Sequence, residues 1–304
     1  MKRQTIGLLL GPVVFLLIIV MPTPEGLSEN GTYVAAVAAL MAIWWISEAA
    51  PIPATALLPI ALFPLFGVME AQQVTTAYAN HLIYLFMGGF LIAVTIEKWN
   101  LHKRIALHTV LLTGTSPNRI ILGFMVATAF LSMWISNTAA AMMMVTIGLA
   151  VVKQTKSLFP DTEIEHPDNG QNGVITFGTI LMLGIAYASS IGGVATLIGT
   201  PPNAILAGVL ESNYNIHISF GQWMLFALPL SIIVLALTWL FLTRIVYRST
   251  ITELVGGRAL IHSQLSELGN MQKPERRVLI VFISVAASWL LNSFIEVEVL
   301  SHVT

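Results

Sequence analysis

The chain has 304 residues, 56% hydrophobic and 10% charged, against roughly 45 to 50% and roughly 25% in an ordinary soluble domain, which excludes a soluble globule. Fourteen Lys and Arg against fifteen Asp and Glu leave a formal charge of -1, so no basic field exists to hold a nucleic acid. With no cysteine, disulfides, thiol nucleophiles and Cys-ligated metals are excluded as well.

Charge-free runs at 4–24, 30–47, 49–69, 71–96, 120–152, 169–210, 212–243 and 278–295 predict an all-α polytopic membrane protein. The first run follows Lys2 and Arg3, lacks a small-residue cleavage site and enters a Met-Pro-Thr-Pro turn at 21–24, so it reads as a retained span. Four spans are predicted near 5–21, 33–47, 53–67 and 81–96. Cytoplasmic loops carry the excess of Lys and Arg. The N-terminus is therefore placed inside, and the chain returns inside at Lys98, Lys103 and Arg104. Residues 98–117, where Leu101, Ile105, Leu111 and Leu112 alternate with basic side chains, predict an interfacial helix.

Next, Arg119 and Lys153 bracket 33 uncharged residues, too few for two spans of about 20 each. A single crossing would put these positive ends on opposite sides, whereas a re-entrant hairpin over 118–153 puts both inside. Each arm of about 15 residues would rise about 22 Å, past the middle of a core about 30 Å thick. The acidic, Pro-bearing stretch within 154–173 reads as a cytoplasmic loop. Residues 174–210 then cross outward to Glu211, a helix over 220–245 returns to Arg244 and Arg248, residues 250–273 form a second interfacial helix, and 278–295 cross outward to Glu296 and Glu298. All fourteen Lys and Arg then face the cytoplasm.

Little in this chain points to catalysis. Asp161 and Asp168 fall in the cytoplasmic loop, Glu48 and Glu97 at span ends, and the signatures of zinc hydrolysis, serine acyl transfer and nucleotide binding are missing. The seven histidines are expected to be solvated or interfacial, and Met142-Met143-Met144 to be core packing. Polar chemistry concentrates at two points instead. The hairpin midpoint reads Ser136-Asn137-Thr138, where a helix start would aim N–H groups and a positive dipole end at the membrane centre. The carbonyls from Ser132 to Ser136 would be released toward a cation. The second point, Gly192-Gly193 through Gly199-Thr200-Pro201-Pro202-Asn203, must break its helix, because two glycines weaken it and two prolines remove N–H donors. Irregular backbone at that depth survives only when buried in protein or lining a cavity.

Ser-Asn-Thr at a hairpin tip, Gly-Thr-Pro-Pro-Asn in a broken helix, and Phe86-Met87-Gly88-Gly89-Phe90 leading to Leu101-His102-Lys103-Arg104 together resemble the divalent-anion/sodium symporter family. The resemblance implies a homodimer in a bacterial inner membrane that moves small divalent anions, C4-dicarboxylates such as succinate foremost, with sodium as the coupling ion and no other cofactor. It implies an elevator motion of a transport domain (118–249) against a scaffold (1–97), linked by arm helices at 98–117 and 250–273. It implies a sodium site at Ser132, Ser136, Asn137 and Gly199, and an anion site at Asn137, Thr138, Thr200 and Pro201. Members carry two inverted repeats. This chain has one hairpin and one break, with 274–304 as the first helix of a second repeat, so the natural protein is expected to be longer or the chain truncated. A sodium-independent exchanger of the same fold would need a counter-anion in place of a sodium gradient. A channel or structural subunit would show neither saturation nor counterflow.

Overall fold

The computed structural model describes residues 2–114, 116–158, 173–246 and 257–301. Asp161, Asp168, most of the expected loop at 154–173 and the start of the second arm helix at 250–256 lie outside these residues. Every regular element described is helical. The chain divides into two compact units, 1–84 and 85–304.

In the first unit, α1 (Arg3–Val20) packs on α2 (Glu29–Ser47). Gly7 and Gly11, four residues apart on one face, make the approach possible: a methyl at Gly7 would overlap Ser47, and one at Gly11 would come within 2.6 Å of the Trp44 indole nitrogen. The Arg3 guanidinium donates to the Ile46 carbonyl across the same contact. Leu9 and Leu16 are 59% and 58% exposed, apolar surface that water would not tolerate and lipid does. The expected third span, 53–67, is instead two short helices, α3 (Ile52–Ala56) and α4 (Leu58–Leu65), hinged at Leu57. Pro59 is the cause, since it lacks an N–H and its ring opposes the carbonyl four residues back. Helix α5 (Ala71–Tyr78) is tied to α3 by the Tyr78 hydroxyl on the Ala56 carbonyl at 2.7 Å.

Helix α6 (His81–Lys98) leads into the second unit. There α7 (Leu101–Thr113), α8 (Pro117–Ser132), α9 (Asn137–Leu158), α10 (Gly173–Val194), α11 (Pro201–Tyr214) and α12 (Phe220–Leu240) follow, and α12 runs on as a π-helical turn, Phe241–Val246. Helices α13 (Gly257–Glu267) and α14 (Lys273–Ser301) complete the unit. The expected hairpin is present as α8 and α9, joined by four residues; α8 has 16 residues, and the apolar stretch of α9, Asn137–Lys153, is likewise shorter than a candidate span. Contacts along α10 fix its sense. Gly178 faces Val152, Gly184 faces Ile121 and Met125, and Gly192 meets Ala129. Helix α10 thus runs parallel to α8 and antiparallel to α9, which puts Arg119 and Lys153 at one end and the hairpin tip beside the end of α10.

Helix α10 is the central element. Its apolar window is 56% buried, against 11% for α1 and 17% for α12. Phe124 and Met125 of α8, Met144 of α9, and Phe177, Leu181 and Ile185 of α10 are fully enclosed. Of the methionine run, Met144 is core as expected, while Met142 is 66% exposed. A capping box of Ser219 and Gln222 starts α12, and its Trp223 and Trp239 indoles donate to the carbonyls of Val194 and Asn118, both at 2.9 Å. Those two bonds stretch α12 along the hairpin from tip to base.

The predicted arm helices are built into this core. Leu101, Ala106, Leu107 and Val110 of α7 and Ile261 of α13 are buried. His102, expected to be solvated or interfacial, is 4% exposed and bonds the Ile96 carbonyl through Nδ1 at 3.0 Å. Burial pushes its pKa below 6.5. Arg104 grips the joint of α13 and α14: Nε and Nη2 donate to the Glu275 carboxylate at 2.5 and 3.2 Å, and Nη1 to the Gly269 carbonyl at 3.0 Å.

Candidate functional site

The hairpin tip and the helix break meet at one level, and small residues let them. A methyl at Gly192 would overlap the Ala129 carbonyl, and one at Gly193 would overlap the Asn137 amide. Gly199 presses on the Gly193 carbonyl in the same way. The expected residues 132, 137 and 199 are therefore joined through Gly193, which the sequence marked only as a helix weakener.

At the centre lies a cluster of oxygens. The Ser132 hydroxyl, fully buried, stands 2.6 Å from Asn137 Oδ1 and 2.6 Å from the Ser189 carbonyl. One hydroxyl has one proton, so two acceptors compete for it. A small cation would satisfy all three oxygens. Ser136 plays a different part here: it is the N-cap of α9, its hydroxyl accepting from Ala139 N at 3.3 Å and its carbonyl from Ala140 N at 3.0 Å.

Two carbonyls expected to be released toward a cation are thus engaged. Ser136 O is taken by α9, and Met133 O accepts from the buried Thr196 hydroxyl at 2.5 Å. Ser189 O joins the cluster through the Ser132 hydroxyl while also lying within the hydrogen-bond ladder of α10. Ser189 lies five residues before the end of α10, within a regular helical pattern that gives no local signal.

Outside this cluster, Thr138 is exposed on the first turn of α9, where the Asn137 and Thr138 N–H groups have no acceptor within the helix by position. Thr200 is the N-cap of α11 in extended conformation, and its side chain makes no capping bond. Pro201 and Pro202 remove the first two N–H groups of α11, and Asn203 N bonds Thr200 O at 3.1 Å. Helix α11 therefore offers an anion its dipole and the Thr200 hydroxyl rather than a fan of N–H donors. A further residue, Asn203, is 6% exposed and donates its amide to the carbonyls of Gly193 at 2.9 Å and Thr196 at 2.7 Å.

The site is built from neutral oxygens, helix starts and a buried break, with no charged side chain among the residues placed there. The chain matches the family model for the transmembrane region of sodium:sulfate symporters over residues 2–303. The sodium-dependent dicarboxylate transporter SdcS of Staphylococcus saprophyticus subsp. saprophyticus is 44% identical over 292 residues, 96% of this chain and 55% of that protein. SdcS of Staphylococcus aureus strain USA300 shows the same identity and coverage. The chain spans about half the length of these curated relatives. With a helical hairpin, a broken helix and several apolar helices of spanning length, this multi-pass membrane protein belongs to the sodium:sulfate symporter transmembrane-region family, a family of transporters rather than enzymes.

Proposed function

We propose that the protein carries small divalent anions, C4-dicarboxylates foremost, across a bacterial inner membrane together with sodium. The observation that carries this reading is the cluster of oxygens from Ser132, Asn137 and Ser189, in which one hydroxyl proton faces two acceptors and no side chain is charged. Sodium is held there, with Ser136 and Gly199 shaping the site as cap and spacer. The anion lies against Asn137, Thr138, Thr200 and Pro201. The SdcS relatives, named as sodium-dependent dicarboxylate transporters, support the choice of both ions.

On this reading the protein is a homodimer with a cytoplasmic N-terminus, and the unit carrying the hairpin and the break moves as an elevator. Residues 1–97 serve as scaffold, 118–249 as the moving domain, 98–117 and 250–273 as arms, and 274–304 begin a second repeat. Succinate uptake by the full-length gene product in proteoliposomes, with sodium or choline outside, tests the function. Saturable uptake that requires sodium is expected. Uptake that instead requires an internal counter-anion overturns the coupling, and uptake without saturation or counterflow overturns the carrier.

A further inference from the structure

We propose that Asn203 is a positioning residue for the coupling ion: its amide fixes the helix break so that Gly193 and Thr196 hold the hairpin tip, and with it Asn137, in cation-binding geometry. The proposal deepens the sodium-coupled reading and rests on it. A primary amide has two N–H donors. The two shortest contacts of Asn203 Nδ2, at 2.7 and 2.9 Å, engage both, and the Val194 carbonyl at 3.5 Å lies beyond them. The Gly193 carbonyl lies at the end of α10, where helix carbonyls lack a ladder partner and water would ordinarily serve, and the Thr196 carbonyl just past it accepts only a long bond from Gly199 N at 3.3 Å besides the Asn203 amide. Gly193 and Thr196 are both buried, so the Asn203 amide stands in for that water.

Both carbonyls belong to residues that touch the hairpin. Gly193 leaves no room between its Cα and the Asn137 amide. Thr196 donates its hydroxyl to Met133 O at the tip. One side chain is thereby connected by two routes to the segment carrying Ser132 and Asn137. The chemistry selects Asn. An Asp carboxylate would set negative charge against two carbonyl oxygens, and Gln would need room for a further methylene in a closed site. The two prolines set the register, because they occupy the first two positions of α11 and leave Asn203 as the first residue with both a backbone donor and a polar side chain directed at the break.

The test measures sodium-dependent thermal stabilisation of the purified full-length gene product, with choline replacing sodium at constant ionic strength. Asn203→Ala should raise the sodium half-saturation concentration about tenfold or more, the order expected for losing about one to two net hydrogen bonds at about 1.4 kcal/mol per decade. Asn203→Asp should be as impaired at about pH 8 and partly restored at about pH 5.5, since a protonated carboxyl regains one donor and burial favours protonation. That recovery, missing in the parent, is one that a purely structural helix cap would not show. Asn213→Ala, at an exposed position on the same helix, should behave as the parent. A parent-like half-saturation in Asn203→Ala, or an Asn203→Asp response that does not recover on acidification, overturns the proposal. A parent that shows no sodium-specific stabilisation overturns the sodium reading itself.

Discussion

Gly193→Ala isolates the contact between the break and the hairpin tip. The added methyl would overlap Asn137 Oδ1, with the amide carbon and nitrogen each 2.9 Å away. Moving α10 aside is obstructed, because Gly193 O is held by Asn203 at 2.9 Å and its neighbour Gly192 already abuts Ala129. Asn137 must therefore give way, and it stands 2.6 Å from Ser132 in the cluster proposed to hold sodium. Forcing a methyl into a closed site costs about 1 to 3 kcal/mol. If that strain is carried by Asn137, sodium affinity falls by about 5- to 150-fold at about 1.4 kcal/mol per decade. Sodium titrations followed by thermal stability would read the shift, with Gly88→Ala as control. Gly88 has nothing within 4 Å of an added methyl, so its replacement should leave sodium affinity unchanged and stabilise α6 by about 0.5 to 1 kcal/mol. Gly193→Ala with the parent's sodium half-saturation would refute the reasoning.

Single cysteines at Ser116, Ser157 and Ser212, introduced into a chain that has none, should label from the cytoplasm at the first two positions and from outside at the third; labelling of Ser116→Cys and Ser157→Cys from opposite faces would overturn the re-entrant placement. His102 supplies a pH dependence. Its folded pKa lies below 6.5 through burial, so as pH falls below that value the unfolded chain takes up a proton that the folded chain does not, and stability drops. Thermal melts from about pH 8 to about pH 5 should show this loss in the parent and a flatter profile in His102→Gln, and parallel profiles would count against it.

The parts of the site legible in the sequence are those with local causes. Ser136 caps α9 because a short hydroxyl before a helix start accepts from the third residue on, a bond that depends on four consecutive residues. Pro201 and Pro202 end one helix and begin another for equally local reasons. The hairpin was readable because Arg119 and Lys153 bracket a run too short for two crossings. What stayed hidden depends on residues far apart in the chain. Thr196 and Met133 are 63 positions apart, and Ser132 and Ser189 are 57 apart, so nothing nearby marks either pair. The split at Leu57 is a different failure. Pro59 announced it, but a charge-free run from 49 to 69 made one span the simpler account, and local proline chemistry outweighed length.

The antiparallel hairpin also bears on why the two ions should be coupled. Because α8 runs with α10 and α9 against it, the cluster of Ser132, Asn137 and Ser189 and the starts of α9 and α11 lie at one level, and none of the residues placed there is a cation. Each helix start contributes the equivalent of about half a positive charge, and α11 delivers it without its first two N–H groups. Two such termini offset only about one charge of a dianion. At the membrane depth predicted for these motifs the remaining charge is costly unless a cation is near. In the proposed site the Ser132 hydroxyl, with one proton between two acceptors, would place that cation at the same level. On the proposed reading, sodium occupancy therefore raises anion affinity. Thermodynamic linkage then requires the anion to raise sodium affinity by the same factor, so neither ion should cross efficiently alone.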